Sequence, residues 1–324
     1  MTYQEKIVEL KGIIQQRLIP LITNDYIVLD LPYYTNIGDS LIWQGTLDLL
    51  KHLPYKCLYS SSIGNYIKPN IDKGVIILFM GGGNFGDIWY GHQLFREKIL
   101  ESFPDNPIIQ LPQSIYFNNF DILQKSAEAF SKHKHITICC RDQSSLDIVN
   151  KYFINSNNIL LPDMAFCIDI SQWIKYIKPA GDKILFLDRK DCEKDNNQQY
   201  KVVPADAEIH DWPTMEKNTS LDLNFHRGQL VFKKIDKIFH SNLNNYFSDF
   251  MYRKAIRKHF IKTGVQFISS YSYIYTTRLH VAIISMLLDK DFSFFDNSYG
   301  KNSGFYNNWL QDVERIEFIK NHKE

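Results

Sequence analysis

The stretch Tyr271-Ser272-Tyr273-Ile274-Tyr275-Thr276-Thr277-Arg278-Leu279-His280, running on into Val281-Ala282-Ile283-Ile284-Ser285-Met286-Leu287-Leu288, changes its hydrophobic period part-way. Tyr271 to Thr276 has the spacing of a strand, and Val281 onward has that of a helix. Arg278 and His280 therefore sit where a strand ends and a helix begins. In an open α/β sheet ligands bind outside the carboxyl ends of the strands. The free amides and positive dipole end of the following helix favour an anion there. Thr276 or Thr277 can cap the helix. Arg278 adds a planar fork of donors suited to phosphate or carboxylate, and His280 adds a group able to carry a proton near neutral pH.

The same alternation extends outward through the chain. Strands are predicted at Tyr26–Leu31, Gly74–Met80, Pro107–Leu111, Ile136–Cys140 and Ile159–Leu161. Helical patterns lie between them, at about Ser40–His52, His92–Phe103, Asp121–Lys132 and Gln143–Phe153. This βαβ rhythm implies parallel sheets covered on both faces. Lys178-Pro179-Ala180-Gly181-Asp182 has linker composition, and a second alternation starts at Lys183–Asp188. It continues through Lys201–Pro204, a helix at Met251–Lys262, the Arg278 helix and Asp291–Phe295; Phe305–Lys320 is predicted as one or two helices. The predicted fold is α/β, with two Rossmann-like domains facing a cleft. The N-terminal domain covers residues 1–178 and the C-terminal domain 179–324, the last helix packing back on the first domain.

Composition narrows the function classes. The 324 residues are 44% hydrophobic, enough for sizeable cores, and their net charge of +1 gives no global field for nucleic acid. Cys57, Cys139, Cys140, Cys167 and Cys192 are odd in number and make no Cys-x-x-Cys pair. Reduced thiols in a cytoplasmic protein are expected, with no structural zinc. The N-terminus has no leader pattern, and no apolar run approaches the roughly 20 residues of a membrane helix. One local bias stands out: residues 226–262 hold nine lysines and arginines against Asp236 and Asp249. That segment suits an ordinary solvated surface, or peripheral contact with anionic lipid or a lipid-diphosphate-linked acceptor.

Two glycine-bearing loops follow predicted strands. Gly81-Gly82-Gly83-Asn84-Phe85-Gly86-Asp87 satisfies G-x-G-x-x-G literally, a weak signal alone. Dinucleotide binding is disfavoured: the next strand runs into Pro112-Gln113 with no acid for a ribose, and Asp87 would repel a pyrophosphate. Asn36-Ile37-Gly38-Asp39-Ser40 forms the second loop, where Asp39 is either a helix cap or a functional acid. Together the loops offer Asp39 and Asp87 to one cleft, as acid–base work on hydroxyls requires. Gln113, Ser114, Arg141, Asp163, Arg189 and Lys301 also fall at or beyond strand ends.

In this order and spacing, Gly38-Asp39-Ser40, Gly81-Gly82-Gly83-Asn84, Leu111-Pro112-Gln113-Ser114, Arg141-Asp142, Leu161-Pro162-Asp163, Arg189-x-Asp191-x-Glu193, Thr277-Arg278-Leu279-His280 and Asp296–Lys301 resemble the polysaccharide pyruvyl transferase family. The resemblance implies a fold similar to GT-B glycosyltransferases. It also implies transfer of pyruvate from phosphoenolpyruvate to two hydroxyls of a sugar, forming a ketal in cell-surface glycan synthesis. Phosphoenolpyruvate would be a co-substrate, with no further cofactor and no metal. By resemblance, Arg278 and His280 bind the donor's phosphate and carboxylate, helped by the main-chain amides near Leu279, and Arg141 supplies a second cation. The mechanism expected on these residues has His280 giving a proton and Asp39 or Asp87 acting as base. Asn36, Gly83, Asn84 and Gln113 in the first half, with Glu193 and Lys301 in the second, are further substrate-binding candidates. A sugar-nucleotide glycosyltransferase on the same fold is the rival enzyme reading, and a non-catalytic subunit of a polysaccharide assembly system is the third.

Overall fold

Tyr26-Ile27-Val28-Leu29 and Ile76-Ile77-Leu78-Phe79 are apolar at every position, and every one of those residues is buried. Continuous rather than alternating apolar strands are what a parallel sheet covered on both faces demands. The structure, a computed structural model of the chain, describes residues 1–191, 194, 200–297 and 300–319.

Among the described residues the strands form two sheets, parallel in every pairing. The first contains β1 (Tyr26–Leu29), β2 (Cys57–Ser61), β3 (Ile76–Phe79), β4 (Gly82–Gly86), β5 (Ile108–Tyr116), β6 (Ile136–Cys140) and β7 (Asn157–Leu160). Its order is β2-β1-β3-β5-β6-β7, with β4 paired to β5 off that path. The second contains β8 (Ile184–Leu187), β9 (Glu208–His210), β10 (Tyr273–Thr276), β11 (Phe292–Phe295) and β12 (Ile316–Ile319), in the order β12-β11-β10-β8-β9. In each sheet the chain first adds a strand on one side and then crosses to the other. The reversal falls between β1 and β3 in the first sheet and between β8 and β10 in the second. Such reversals open a crevice at the carboxyl ends of the strands.

The helices are α1 (Tyr3–Leu18), α2 (Ile37–Leu50), α3 (Tyr90–Ser102), α4 (Phe120–Ser131), α5 (Gln143–Tyr152), α6 (Pro213–Glu216), α7 (Ser220–Phe239), α8 (Leu243–Met251), α9 (Arg257–Ser269), α10 (Leu279–Leu287) and α11 (Lys301–Trp309). One buried apolar cluster runs through both halves, from Tyr3, Leu10 and Leu41 to Phe260, Ile284 and Phe292. Helices α1 and α11 both bridge the two halves. In α1, Tyr3 stacks on Phe292 at 6.0 Å and Arg17 donates to the Leu160 carbonyl at 2.8 Å. In α11, Phe305 stacks on Phe166 at 6.3 Å and Trp309 Nε1 donates to the Arg141 carbonyl at 2.8 Å.

Several local expectations are corrected. Lys201–Val203 forms turns, and the strand lies later, at β9. Phe305–Lys320 is not helical throughout: α11 stops at Trp309 and β12 follows, adding an edge strand to β11. The Met251–Lys262 helix is interrupted by a π turn at Tyr252–Ile256. Gln113 and Ser114 lie within β5, which runs to Tyr116. The first glycine loop is itself the short strand β4.

A candidate active site between the two sheets

Asn36 is the N-cap of α2: its Oδ1 accepts from the Gly38 amide at 2.9 Å, while Nδ2 donates to Asp39 Oδ2 at 2.6 Å. Asp39 is therefore a first-turn acid held by the cap rather than the cap itself. It lines a cavity of about 440 Å³ with Tyr34, Asn36, Gly83 and Asn84 from the first half. From the second half come Arg189, Asp191, Arg278, Leu279, His280 and Lys301, and Arg141 reaches in from the end of β6.

The glycines decide how close the halves come. A Cβ on Gly83 would stand 2.2 Å from Lys301 Nζ and 3.3 Å from Arg141 Nη2. A Cβ on Gly38 would stand 2.5 Å from His280 Nδ1. Only backbone without side chains lets the Lys301 ammonium and the His280 ring reach their positions beside Asp39.

Buried carboxylates fix the cations. Arg141 is 1% exposed; its Nη1 meets Asp163 Oδ2 at 2.5 Å and its Nε donates to Ser114 Oγ at 2.9 Å. His280 Nε2 lies 3.5 Å from the same Asp163 oxygen. Burial alone would raise the Asp163 carboxyl, yet His280 and Arg141 together hold it well below its usual range. Asp39 goes the other way: burial raises its carboxyl, against the lowering pull of His280, Arg141 and Lys301. A carboxylate raised in this way is suited to general-base work.

Arg278 is more constrained than its sequence position implied. Its Nε and Nη2 form a fork on Asp211 at 2.6 and 2.7 Å, and Nη2 also reaches Asp191 Oδ2 at 3.0 Å. Arg189 grips Asp191 through two bonds of 2.8 and 3.1 Å. Asp191 thus stands between two guanidinium groups, where an anionic ligand would also be drawn. Neither Thr276 nor Thr277 caps α10; the N-cap is Arg278, and Thr276 Oγ1 accepts from the Arg278 amide at 3.0 Å. Among the described residues the Leu279 and His280 amides have no acceptor, as at an uncapped helix start.

Two expected residues stand elsewhere. Asp87 does not line the cavity: its two oxygens accept from the Asn118 and Asn119 amides at 2.8 and 2.6 Å, fastening the loop before α4. Gln113 is fully buried behind the wall, donating to Asn84 Oδ1 at 2.6 Å. Glu193 lies outside the described residues.

Sequence reading missed a neighbouring network. Asp30 follows β1 with φ of 65°, a left-handed conformation uncommon outside glycine. Its carboxylate meets His92 Nδ1 at 2.7 Å, Arg96 Nη2 at 3.2 Å and Asn84 Nδ2 at 3.3 Å. His92 lines the cavity beside Trp89, which is 45% exposed, and Tyr34, which is 38% exposed. The available signal was that Asp30 ends a strand at the sheet's reversal; nothing in the spacing tied it to His92.

Residues 36–299, most of this site included, match the family described as Polysaccharide pyruvyl transferase. The chain belongs to that family. A Bacillus subtilis (strain 168) relative named "Putative pyruvyl transferase EpsO" is 34% identical over 307 residues, covering 92% of this chain and 89% of its own length. Pyruvyl transferase 1 of Schizosaccharomyces pombe is 27% identical, covering 87% of this chain and 69% of the yeast protein. The crystal structure of a functionally uncharacterised Klebsiella pneumoniae protein superposes with a TM-score of 0.62 at 21% identity, covering 96% of this chain and 98% of that one, a likeness of fold. The protein is accordingly a transferase of polysaccharide biosynthesis.

Proposed function

We propose that the protein moves pyruvate from phosphoenolpyruvate onto two hydroxyls of one sugar residue, forming a cyclic ketal and releasing inorganic phosphate. The observation that carries this reading is the meeting of Arg141, Lys301, Arg278 and His280 with Asp39 in one cavity. A small, highly charged donor is held by several cations and a helix start rather than by a nucleobase pocket. Family membership weighs against the sugar-nucleotide rival.

In this mechanism His280 gives a proton to the methylene carbon of the donor, which becomes a methyl group. The adjacent carbon turns electrophilic, and Asp39 takes the proton of the first sugar hydroxyl as its oxygen attacks. The carbon–oxygen bond to phosphate breaks, and Lys301, Arg278 and the α10 amides hold the leaving anion. The second hydroxyl closes the ring and gives its proton to His92, oriented by Asp30. Tyr34 and Trp89 present an apolar wall to one face of the sugar. The protein takes the acceptor either free or carried on a lipid diphosphate, and works without a metal or further cofactor. It acts on the cytoplasmic side of a membrane.

Calorimetric titration with phosphoenolpyruvate, a UDP-sugar and NAD, on the wild type and a Lys301→Ala variant, tests the donor. Phosphoenolpyruvate alone should bind, and the variant should bind it at least tenfold more weakly. Binding of the UDP-sugar in its place would overturn the proposal.

A further inference from the structure

Helices α7 and α8 form a hairpin whose inner side is a small aromatic core. Phe225 and Phe232 pack on Phe247 at 5.7 and 4.7 Å. Around that core several large apolar side chains stand uncovered. Leu230 is 61% exposed, Ile238 69%, Phe239 72%, Tyr246 67% and Phe250 61%. Large side chains normally point outward singly, so five on one short hairpin mark it as a candidate interaction surface.

The charges around it identify the occupant. Leu223, Arg227, Leu230, Lys234 and Ile238 follow one another at three- and four-residue steps, so apolar and basic side chains share one stripe of α7. Lys233 and Lys237 flank it, also exposed. The hairpin's acids are engaged internally. Asp222 completes the Thr219 capping box, with bonds of 2.8 and 2.6 Å. Asp236 accepts from Ser241 Oγ and the Leu243 and Asn244 amides at 2.6 to 2.9 Å, closing the turn into α8. Asp249 accepts from Asn65 Nδ2 at 3.1 Å. The stripe itself carries apolar and cationic side chains and no acid. A second copy related by twofold symmetry would set these cations against one another, which opposes pairing.

We propose that the α7–α8 hairpin docks in the surface of a bilayer containing anionic phospholipid. Leu223, Leu230 and Ile238 enter the acyl boundary, while Arg227, Lys234 and Lys237 engage headgroup phosphates. The hairpin root joins the cavity rim: Phe225 packs on Tyr252 at 5.3 Å, Tyr252 stacks on Tyr33 at 4.3 Å, and Tyr34 follows in the cavity wall. Docking would hold the cavity close to the membrane surface. The inference stands independently of pyruvyl transfer, because vesicle binding needs no substrate.

The test is co-sedimentation of the full chain with vesicles of phosphatidylglycerol and phosphatidylcholine, beside vesicles of phosphatidylcholine alone. Binding should require phosphatidylglycerol and weaken as salt rises. The variant Lys234→Gln/Lys237→Gln should lose about 30-fold in affinity, from the usual contribution of each basic residue at an anionic surface. Leu230→Ser/Ile238→Ser should also lose binding while melting like the wild type, both residues being exposed. Equal sedimentation with both vesicle types, or unchanged binding in both variants, would overturn the proposal. So would a wild-type dimer in light scattering that becomes monomeric in the Leu230→Ser/Ile238→Ser protein, which would assign the face to a second copy.

Discussion

Gly83→Ala separates binding from stability in a way that few substitutions here can. The new methyl would begin 2.2 Å from Lys301 Nζ, against the 3.4 Å at which ordinary contact starts, so the ammonium must retreat by about 1.2 Å. The clash is with the far end of the Lys301 side chain, and Arg141 Nη2 at 3.3 Å need give by only about 0.1 Å, so the fold absorbs both. Gly83 has no positive φ, so alanine fits the backbone and even gains some stability by restricting the unfolded chain. Binding has no such escape. At an effective dielectric constant near 20, retreat from about 3 to about 4.2 Å reduces the attraction to one ligand charge by ~1.6 kcal/mol, or ~15-fold in affinity. Calorimetry should therefore show phosphoenolpyruvate bound ~15-fold more weakly, with a melting temperature within a degree or two of wild type. Unchanged affinity in a folded variant would refute Lys301 as a donor ligand and the glycine's role in admitting it.

The remaining predictions follow the same geometry. Arg278→Ala leaves Asp211 buried without its fork, so urea unfolding should show a loss of about 3–5 kcal/mol; loss of binding in that variant is then read only beside its stability. Asp39→Asn should keep phosphoenolpyruvate affinity and lose turnover. In the wild type the acid limb of the rate should sit above the ordinary aspartate value of about 3.9, because burial raises this carboxyl; a limb at or below that value contradicts the base assignment. Asp163 is depressed when folded, so its contribution to stability is complete above about pH 4 and fades as pH falls below it. An Asp163→Asn variant should show a shallower acid slope in chemical unfolding. Asp87→Asn should leave turnover within about twofold while costing about 1 kcal/mol of stability from its loop bonds, and a large loss of turnover would return it to the site.

The parallel sheets were legible because their strands are apolar throughout, as at Ile76–Phe79, and because helical periods separate them. Asp39, Arg141, Arg278, His280 and Lys301 could be named because strand ends and helix starts are local features. What was missed depends on contacts between distant parts. The strand β4 was hidden by its glycines, which have no β propensity and hold their place through pairing with β5. The strand β12 is a short edge segment defined by β11 beside it. Asp87 and Asp39 follow similar Gly-Asp patterns, yet neighbouring amides claim one and the cavity receives the other. The pairing of Asp30 with His92 spans 62 positions and leaves no periodic trace.

The most direct test of the account is to incubate the purified protein with phosphoenolpyruvate, carbon-13 labelled at its methylene carbon, and a panel of hexose-bearing acceptors. NMR would then follow the label beside a phosphate assay. The account predicts a labelled methyl group on a ketal carbon bonded to two oxygens of one sugar, with one phosphate released for each ketal formed. Label appearing only in free pyruvate would make the protein a phosphatase, and label left in the donor while a UDP-sugar is consumed would make it a glycosyltransferase; either result contradicts the account.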